Sequence, residues 1–190
     1  MMDLFGELIH KRRSVRDYEE RTVPVSLVKE IITDACEAPS AGNRQPWGFA
    51  VITDRGMMKR LSDESKAKLL EDMRVIRSPI LRMYRGILAD AQFNVFYNAP
   101  CLVYITGPKN VHSATADCSL AAAYLMISAA LRGLGTCWVD LGAYIRDPEL
   151  LEEIGVPQGH RIIAPIIIGY PKTVPARPSR KAPRIFKIVE

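Results

Sequence analysis

The chain has 190 residues, 48% hydrophobic and 25% charged, a composition that fits one globular domain and excludes bulk disorder. Its net charge of +5 lies in the segment Tyr170–Glu190, where six basic residues face Glu190 alone; the rest of the chain is neutral. The most apolar uncharged run, Cys118–Leu131, falls short of the roughly 18 residues of a membrane span and reads as a buried core helix.

In chain order, Leu4, Phe5, Leu8 and Ile9 recur at helical spacing, so residues 2–12 read as a short amphipathic helix. It runs into a basic knot of Lys11, Arg12, Arg13 and Arg16. Asp3 and Glu7 sit where a signal peptide needs a basic start. Pro24 opens a second helix, with Val28, Ile31, Ile32 and Ala35 on one face, which stops before Pro39. Pro39-Ser40-Ala41-Gly42-Asn43 is a loop by composition, and Trp47–Thr53 reads as a strand. Asp54 is placed to cap a helix starting near Gly56. Residues 56–97 look helical, with an interruption at Pro79. Cys101–Thr106 is a strand too apolar to have a wet face. Residues 115–132 form a helix that is apolar nearly all round and therefore central, closed by Gly133 and Gly135. A short strand at Cys137–Leu141, a short helix at Pro148–Ile154 and a buried strand at Ile162–Ile168 follow.

Four strands among five or six helices, without βαβ alternation, predict a layered α+β fold rather than a doubly wound sheet. The Pro-rich segment 171–190 reads as an extended arm along the body or along another subunit. Cys36, Cys101, Cys118 and Cys137 form no CxxC and sit in apolar stretches, as expected of reduced thiols in a cytoplasmic protein. The basic knot and the basic tail point to an anionic partner, either nucleic acid or a small phosphorylated ligand.

Three constellations carry chemistry. In Arg12-Arg13-Ser14-x-Arg16, guanidinium groups and a hydroxyl suit a phosphate, each charge-assisted hydrogen bond contributing about 1.5–3 kcal/mol. The alternative is a solvated basic turn favoured by a helix C-terminus. In the loop 38–47, small residues open the backbone to a flat polar ligand, and the Asn43 and Gln45 amides match a heterocycle edge. Alternatively, it is only a helix-to-strand connection. Gly133-Leu134-Gly135-Thr136-Cys137-Trp138 begins like a dinucleotide fingerprint, but Trp138 replaces the third glycine and the order is helix then strand, so a Rossmann site is excluded. His10, His112 and His160 are scattered, so no metal site is expected. Cys118 heads the central helix, where a thiol can be activated, but its buried surroundings argue against reactivity.

Taken in order, five segments resemble the nitroreductase family of FMN-dependent flavoproteins over nearly the whole chain. They are RRSVRDY at 12–18, APSAGNRQPW at 38–47, FYNAPCLVYI at 96–105, DCSLAAAYLMISAALRGLGTCWV at 117–139, and IIIGYP ending at Pro171. The resemblance implies a nitroreductase-like layered α+β fold with a central, mainly antiparallel sheet flanked by helices. It implies one FMN-binding domain over 1–190, assembled as an intertwined homodimer that exchanges the C-terminal arm 171–190. Arg12 and Ser14 then look like phosphate ligands, with Arg13 beside them. Arg16 would face the pyrimidine edge of the isoalloxazine, where a cation favours the reduced, anionic ring. Pro39, Ser40, Ala41 and Asn43 resemble a loop lining the ring from the other subunit. Gly135, Thr136 and Cys137 resemble the backbone opposite flavin N5. Arg180, with Lys181 next, is the match for a late arginine returning to the phosphate.

The activity implied is FMN-dependent NAD(P)H oxidation. NADH or NADPH would reduce the flavin, and a nitroaromatic, quinone or similar acceptor would take hydride from N5 in ping-pong order, with no catalytic side chain. Some relatives use the same platform for reductive dehalogenation or flavin ring cleavage. Both basic clusters would meet one phosphate, so neither nucleic acid nor a membrane is expected as partner. Residues 60–95 match no substrate pattern. Met73, Tyr84, Arg85, Phe93, Phe96 and Tyr97 either line a pocket or pack in the core, packing being the simpler expectation.

Overall fold

A strand that is apolar on both faces needs a layer on each side, and β2 (Cys101–Pro108) has them. Because side chains alternate along a strand, Cys101, Val103 and Ile105 enter one core while Leu102 and Tyr104 enter the other. The computed structural model describes residues 4–75 and 79–190. Its sheet runs β1-β2-β4-β3, all antiparallel, with β1 at Gly48–Ile52, β3 at Gly135–Trp138 and β4 at His160–Gly169.

One face of the sheet carries α2 (Val25–Ala35) and α5 (Ala114–Leu131), which bury Val28, Ile31, Cys118, Ala122, Leu125 and Ala129. Full burial of residues such as Ile31 and Leu125 contributes about 1.5–3 kcal/mol each. The opposite face carries α3 (Arg55–Val75), α4 (Pro79–Ala89) and α6 (Pro148–Glu153). A short α1 (Leu4–Lys11) precedes the basic knot; the expected start of this helix at residues 2–3 lies outside the described residues. The expected α+β architecture, with an antiparallel sheet flanked by helices, is thus the observed one.

Several boundaries differ from expectation for local reasons. Asp54 does cap α3, accepting from the Met57 N–H at 2.6 Å. Pro79 opens α4, a first-turn position where its missing N–H costs nothing. Residues 90–97 are not helical. The Asp90 carboxylate accepts from the Gln92 N–H at 2.8 Å and the Asn94 side chain from the Phe96 N–H at 2.9 Å, and such local bonds compete with a helix. Tyr97 and Asn98 then take left-handed φ values of 52° and 53°. The third strand lies earlier than expected, at Gly135–Trp138, and Asp140–Ala143 forms a tight 3-10 turn instead. Tyr104 holds that turn by donating to the Gly142 carbonyl at 2.9 Å. Finally, α5 is central but not covered all round: Leu120, Tyr124 and Leu131 are 41–53% exposed.

Candidate functional site

The site begins where the basic knot meets the sheet. After α1 the chain becomes extended, and Ser14 pairs in parallel with Thr136 on the outer edge of β3. The Val15 N–H donates to the Thr136 carbonyl at 2.9 Å. Further along, the Glu19 N–H donates to the Tyr170 carbonyl at 2.9 Å and the Lys172 N–H to the Asp17 carbonyl at 3.0 Å. The strip 14–19 therefore closes the edge left by β3 and ties it to the exit of β4. Val15 is 2% exposed and packs on Gly135; a Cβ there would come within 2.7–2.9 Å of three Val15 atoms. Only a glycine lets the strip lie this close.

With Val15 turned inward, Ser14 and Arg16 point to the other side by the strand period. Arg12, Ser14 and Arg16 all act on the Cys137 thiol. Burial pushes that thiol up, against the opposing pull of the Arg16 charge, a Ser14 hydrogen bond and the Arg12 charge. Burial thus outweighs the three neighbouring groups that would stabilise a Cys137 thiolate. Cys118 is pushed up to about 11, first by its burial and then by Asp117 beside it, so the buried helix start does not activate it.

Two cavities flank this strip. One, of about 140 Å³, is lined by Lys11, Arg12, Arg13, Gly135, Thr136 and Val174 among others, and is strongly basic. The other, of about 290 Å³, is lined by Arg16, Tyr84, Tyr97, Trp138, Asp140 and Tyr144 among others, and is strongly aromatic. The Arg16 guanidinium stands 5.7 Å from the centroid of the Tyr97 ring. A basic pocket on one side suits an anionic group, and an aromatic slot on the other suits a flat ring.

The loop Pro39–Asn43 lies elsewhere. It is fixed by the buried Asp117 in the first turn of α5, whose Oδ1 accepts from the Ala41 N–H at 3.0 Å. The Ser40 hydroxyl accepts from the Gln45 N–H at 3.0 Å. Gly42, Asn43 and Gln45 all hold left-handed φ values, between 47° and 59°. The loop is therefore strained, internally bonded and exposed. Asp117 sits near one end of α5 and Gly135 follows the other, about 20 Å away along the helix axis. Arg12, Arg13, Ser14, Arg16, Gly135, Thr136 and Cys137 come together within this chain; Pro39, Ser40, Ala41 and Asn43 do not join them. Arg180 and Lys181 lie on the exposed tail, beyond Thr173, whose hydroxyl donates to the Asp17 carboxylate at 2.8 Å.

The six side chains weighed between residues 73 and 97 divide, with Arg85 exposed. Tyr84 and Tyr97 line the slot, whereas Met73, Phe93 and Phe96 pack in the core. Trp138, Asp140, Leu141 and Tyr144 were not anticipated as lining residues. A strand running through Leu141 hides them; the sequence signal was Gly142, which admits Phe96 where a Cβ would clash.

The family model described as the nitroreductase family matches residues 9–170. A protein of Archaeoglobus fulgidus, carrying the provisional name NADH dehydrogenase/NAD(P)H nitroreductase, is 30% identical over 169 residues, covering 87% of this chain and 84% of that one. The solved structure of a nitroreductase with bound FMN from Bacteroides fragilis superposes with a TM-score of 0.84 at 25% identity, covering 100% of both chains. Iodotyrosine deiodinase 1 of Sus scrofa is 26% identical over 209 residues, covering 97% of this chain and 68% of that protein.

Proposed function

The chain belongs to the nitroreductase family, and on that premise we propose that it is an FMN-dependent oxidoreductase that oxidises NADH or NADPH and reduces a nitroaromatic, quinone or similar acceptor. The observation that carries this is the placement of Arg12, Ser14 and Arg16 on one strip, between a basic cavity and an aromatic slot. The donor set fits FMN: guanidinium and hydroxyl groups for a phosphate dianion and the Arg16 cation for the polar edge of its ring, while the tyrosines of the slot stand open to a flat acceptor.

When bound, FMN would supply the hydride chemistry between the nicotinamide and the acceptor. The chain's own residues bind and orient. Arg12 and Ser14 donate to phosphate oxygens, with Arg13 beside them. The Arg13 guanidinium also donates to the Arg12 carbonyl at 2.6 Å, which steadies the turn. Arg16 holds a positive charge at the ring side and favours the ring's negatively charged form. Gly135, Thr136 and Cys137 provide backbone against the ring. The loop Pro39, Ser40, Ala41 and Asn43 is built and exposed but stands at the far end of α5, so it serves the site of a second copy. The protein accordingly works as a homodimer, with the open α5 stripe Leu120, Tyr124 and Leu131 covered in the interface. Arg180 or Lys181 of the extended arm reaches a phosphate.

The deciding experiment is an absorbance spectrum of purified protein incubated with FMN, then anaerobic NADH and NADPH in turn. Retained flavin absorbance that bleaches on addition of either nucleotide is the expected result. Protein that stays colourless with excess FMN refutes the proposal. The likeness to iodotyrosine deiodinase favours one second reading, reductive dehalogenation on the same platform. Its mark would be bound flavin with negligible reduction of quinone and nitro acceptors, together with release of halide from a halophenol.

A further inference from the structure

Lys66 is 7% exposed, in the middle of α3, yet it carries an ammonium. Its Nζ donates to the Phe93 carbonyl at 2.8 Å and to the Asp90 carbonyl at 3.3 Å, and pairs with the Asp63 carboxylate at 3.3 Å. Two fully buried serines share its face of the helix at the i, i+3, i+4 spacing. The Ser62 hydroxyl accepts from the Val95 N–H at 3.0 Å, and the Ser65 hydroxyl donates to the Leu141 carbonyl. One buried polar stripe therefore grips two separate segments, 90–97 and 140–143, and these are two walls of the aromatic slot beside Arg16.

The link from Lys66 to the slot is short. Phe93 meets Tyr97 edge-on, ring centroids 5.8 Å apart, and Tyr97 faces the Arg16 guanidinium. Tyr97 and Asn98 keep left-handed backbone, a conformation that persists only where surroundings over-determine it. A methionine of similar length would fill the same space without an ammonium to desolvate, so packing alone does not account for the lysine.

We propose that Lys66, with Ser62 and Ser65, is a positioning residue that sets acceptor choice by holding Tyr97 against the slot, selecting planar aromatic acceptors over small inorganic ones. The inference rests on the flavin reading above. Lys66 touches neither cofactor nor acceptor; it acts through Phe93 and Tyr97.

The test compares Lys66→Met, Lys66→Arg, Tyr97→Ala and the double variant Lys66→Met/Tyr97→Ala in the FMN-loaded protein. Acceptors are a nitrobenzoate and ferricyanide. Lys66→Met should raise KM for the nitrobenzoate about tenfold, as a displaced contact does, with kcat, ferricyanide reduction and FMN content unchanged. Lys66→Arg should restore part of the loss. In the Tyr97→Ala background, Lys66→Met should add nothing further. In the FMN-free protein, amide hydrogen exchange at Val95–Tyr97 should quicken in Lys66→Met, while the strip at Ser14–Arg16 stays as in wild type. Should Lys66→Met not fold, Ser62→Ala releases the Val95 N–H and replaces it, with the same expectations. Equal KM changes for both acceptors, or a full effect persisting without Tyr97, overturn the proposal. If wild type takes up no FMN, the functional reading falls, and unchanged exchange at 95–97 overturns the clamp separately.

Discussion

Gly135→Ala puts the packing of the candidate site under direct stress. A Cβ at this position would stand 2.7 Å from Val15 Cγ2, 2.8 Å from its Cβ and 2.9 Å from its Cγ1. None of these atoms is the free end of a flexible side chain. Val15 is 2% exposed and its backbone is tied to Thr136 at 2.9 Å, so relief requires the strip and β3 to separate. Three contacts this close belong in the upper half of the overpacking range, about 2–3 kcal/mol. For a chain of this size that corresponds to a fall in Tm of about 4–12 °C. Because Ser14 rides on the strip, FMN affinity should fall with stability. The assay is thermal and urea unfolding of the FMN-free protein, alone and in a Val15→Ala background, which removes two of the three offending atoms. There Gly135→Ala should cost less by on the order of 1 kcal/mol. A Gly135→Ala protein as stable as wild type, or an identical cost in both backgrounds, refutes the reasoning.

Arg12→Ala should weaken FMN retention by one charge-assisted partner, about 1.5–3 kcal/mol, measured by flavin fluorescence on dilution. Arg16→Ala should instead leave retention nearly intact and lower the flavin potential, read by equilibrium dye titration. Asp117→Ala should free the Ala41 N–H and speed tryptic cleavage at Arg44, whereas Asp117→Asn, which keeps an acceptor oxygen, should cleave at close to the wild-type rate. Burial pushes Cys101 up to about 12 and Cys118 to about 11, from an ordinary thiol value of 9.0. The unfolded chain therefore sheds these protons first as pH rises. Stability should be untouched by them below about pH 9 and fall steadily from there towards pH 11–12, seen in urea midpoints. At pH 8, iodoacetamide should label Cys36, the one cysteine that is not fully buried, ahead of the other three.

How far the sequence reveals the molecule depends on whether a feature is written locally. The strand Cys101–Thr106 was legible because two-sided burial demands an unbroken apolar run, and α5 because its length and apolarity leave little else. The α3 start was legible from Asp54, a cap that acts within three residues. The basic cluster beside β3 was legible too, since guanidinium groups and a serine at 12–16 carry their charge and donors wherever they lie. The aromatic slot was not. Tyr97 reaches it only because Asn94 and Asp90 break the helix, and Tyr144 only because a tight turn replaces the end of a strand. Lys66 was equally hidden: a lysine within a charged helix looks like surface until its carbonyl partners, 24 and 27 residues further along, are known. The separation of the Pro39–Asn43 loop from the basic knot is a matter of the whole length of α5, which no motif encodes.

The strip that carries Ser14 has a further consequence, for the order in which the protein takes shape. Its contacts join the beginning of the chain to Thr136, Tyr170 and Lys172, near the end. Closing so large a loop is slow compared with docking neighbouring helices and strands. A chain emerging from the ribosome can pair β1 with β2 and pack α2 against α5 long before Tyr170 exists, but its basic knot has nowhere to dock until nearly all of it has been made. Ligand-binding competence is therefore the last property acquired during synthesis. In refolding experiments it should trail the burial of the core.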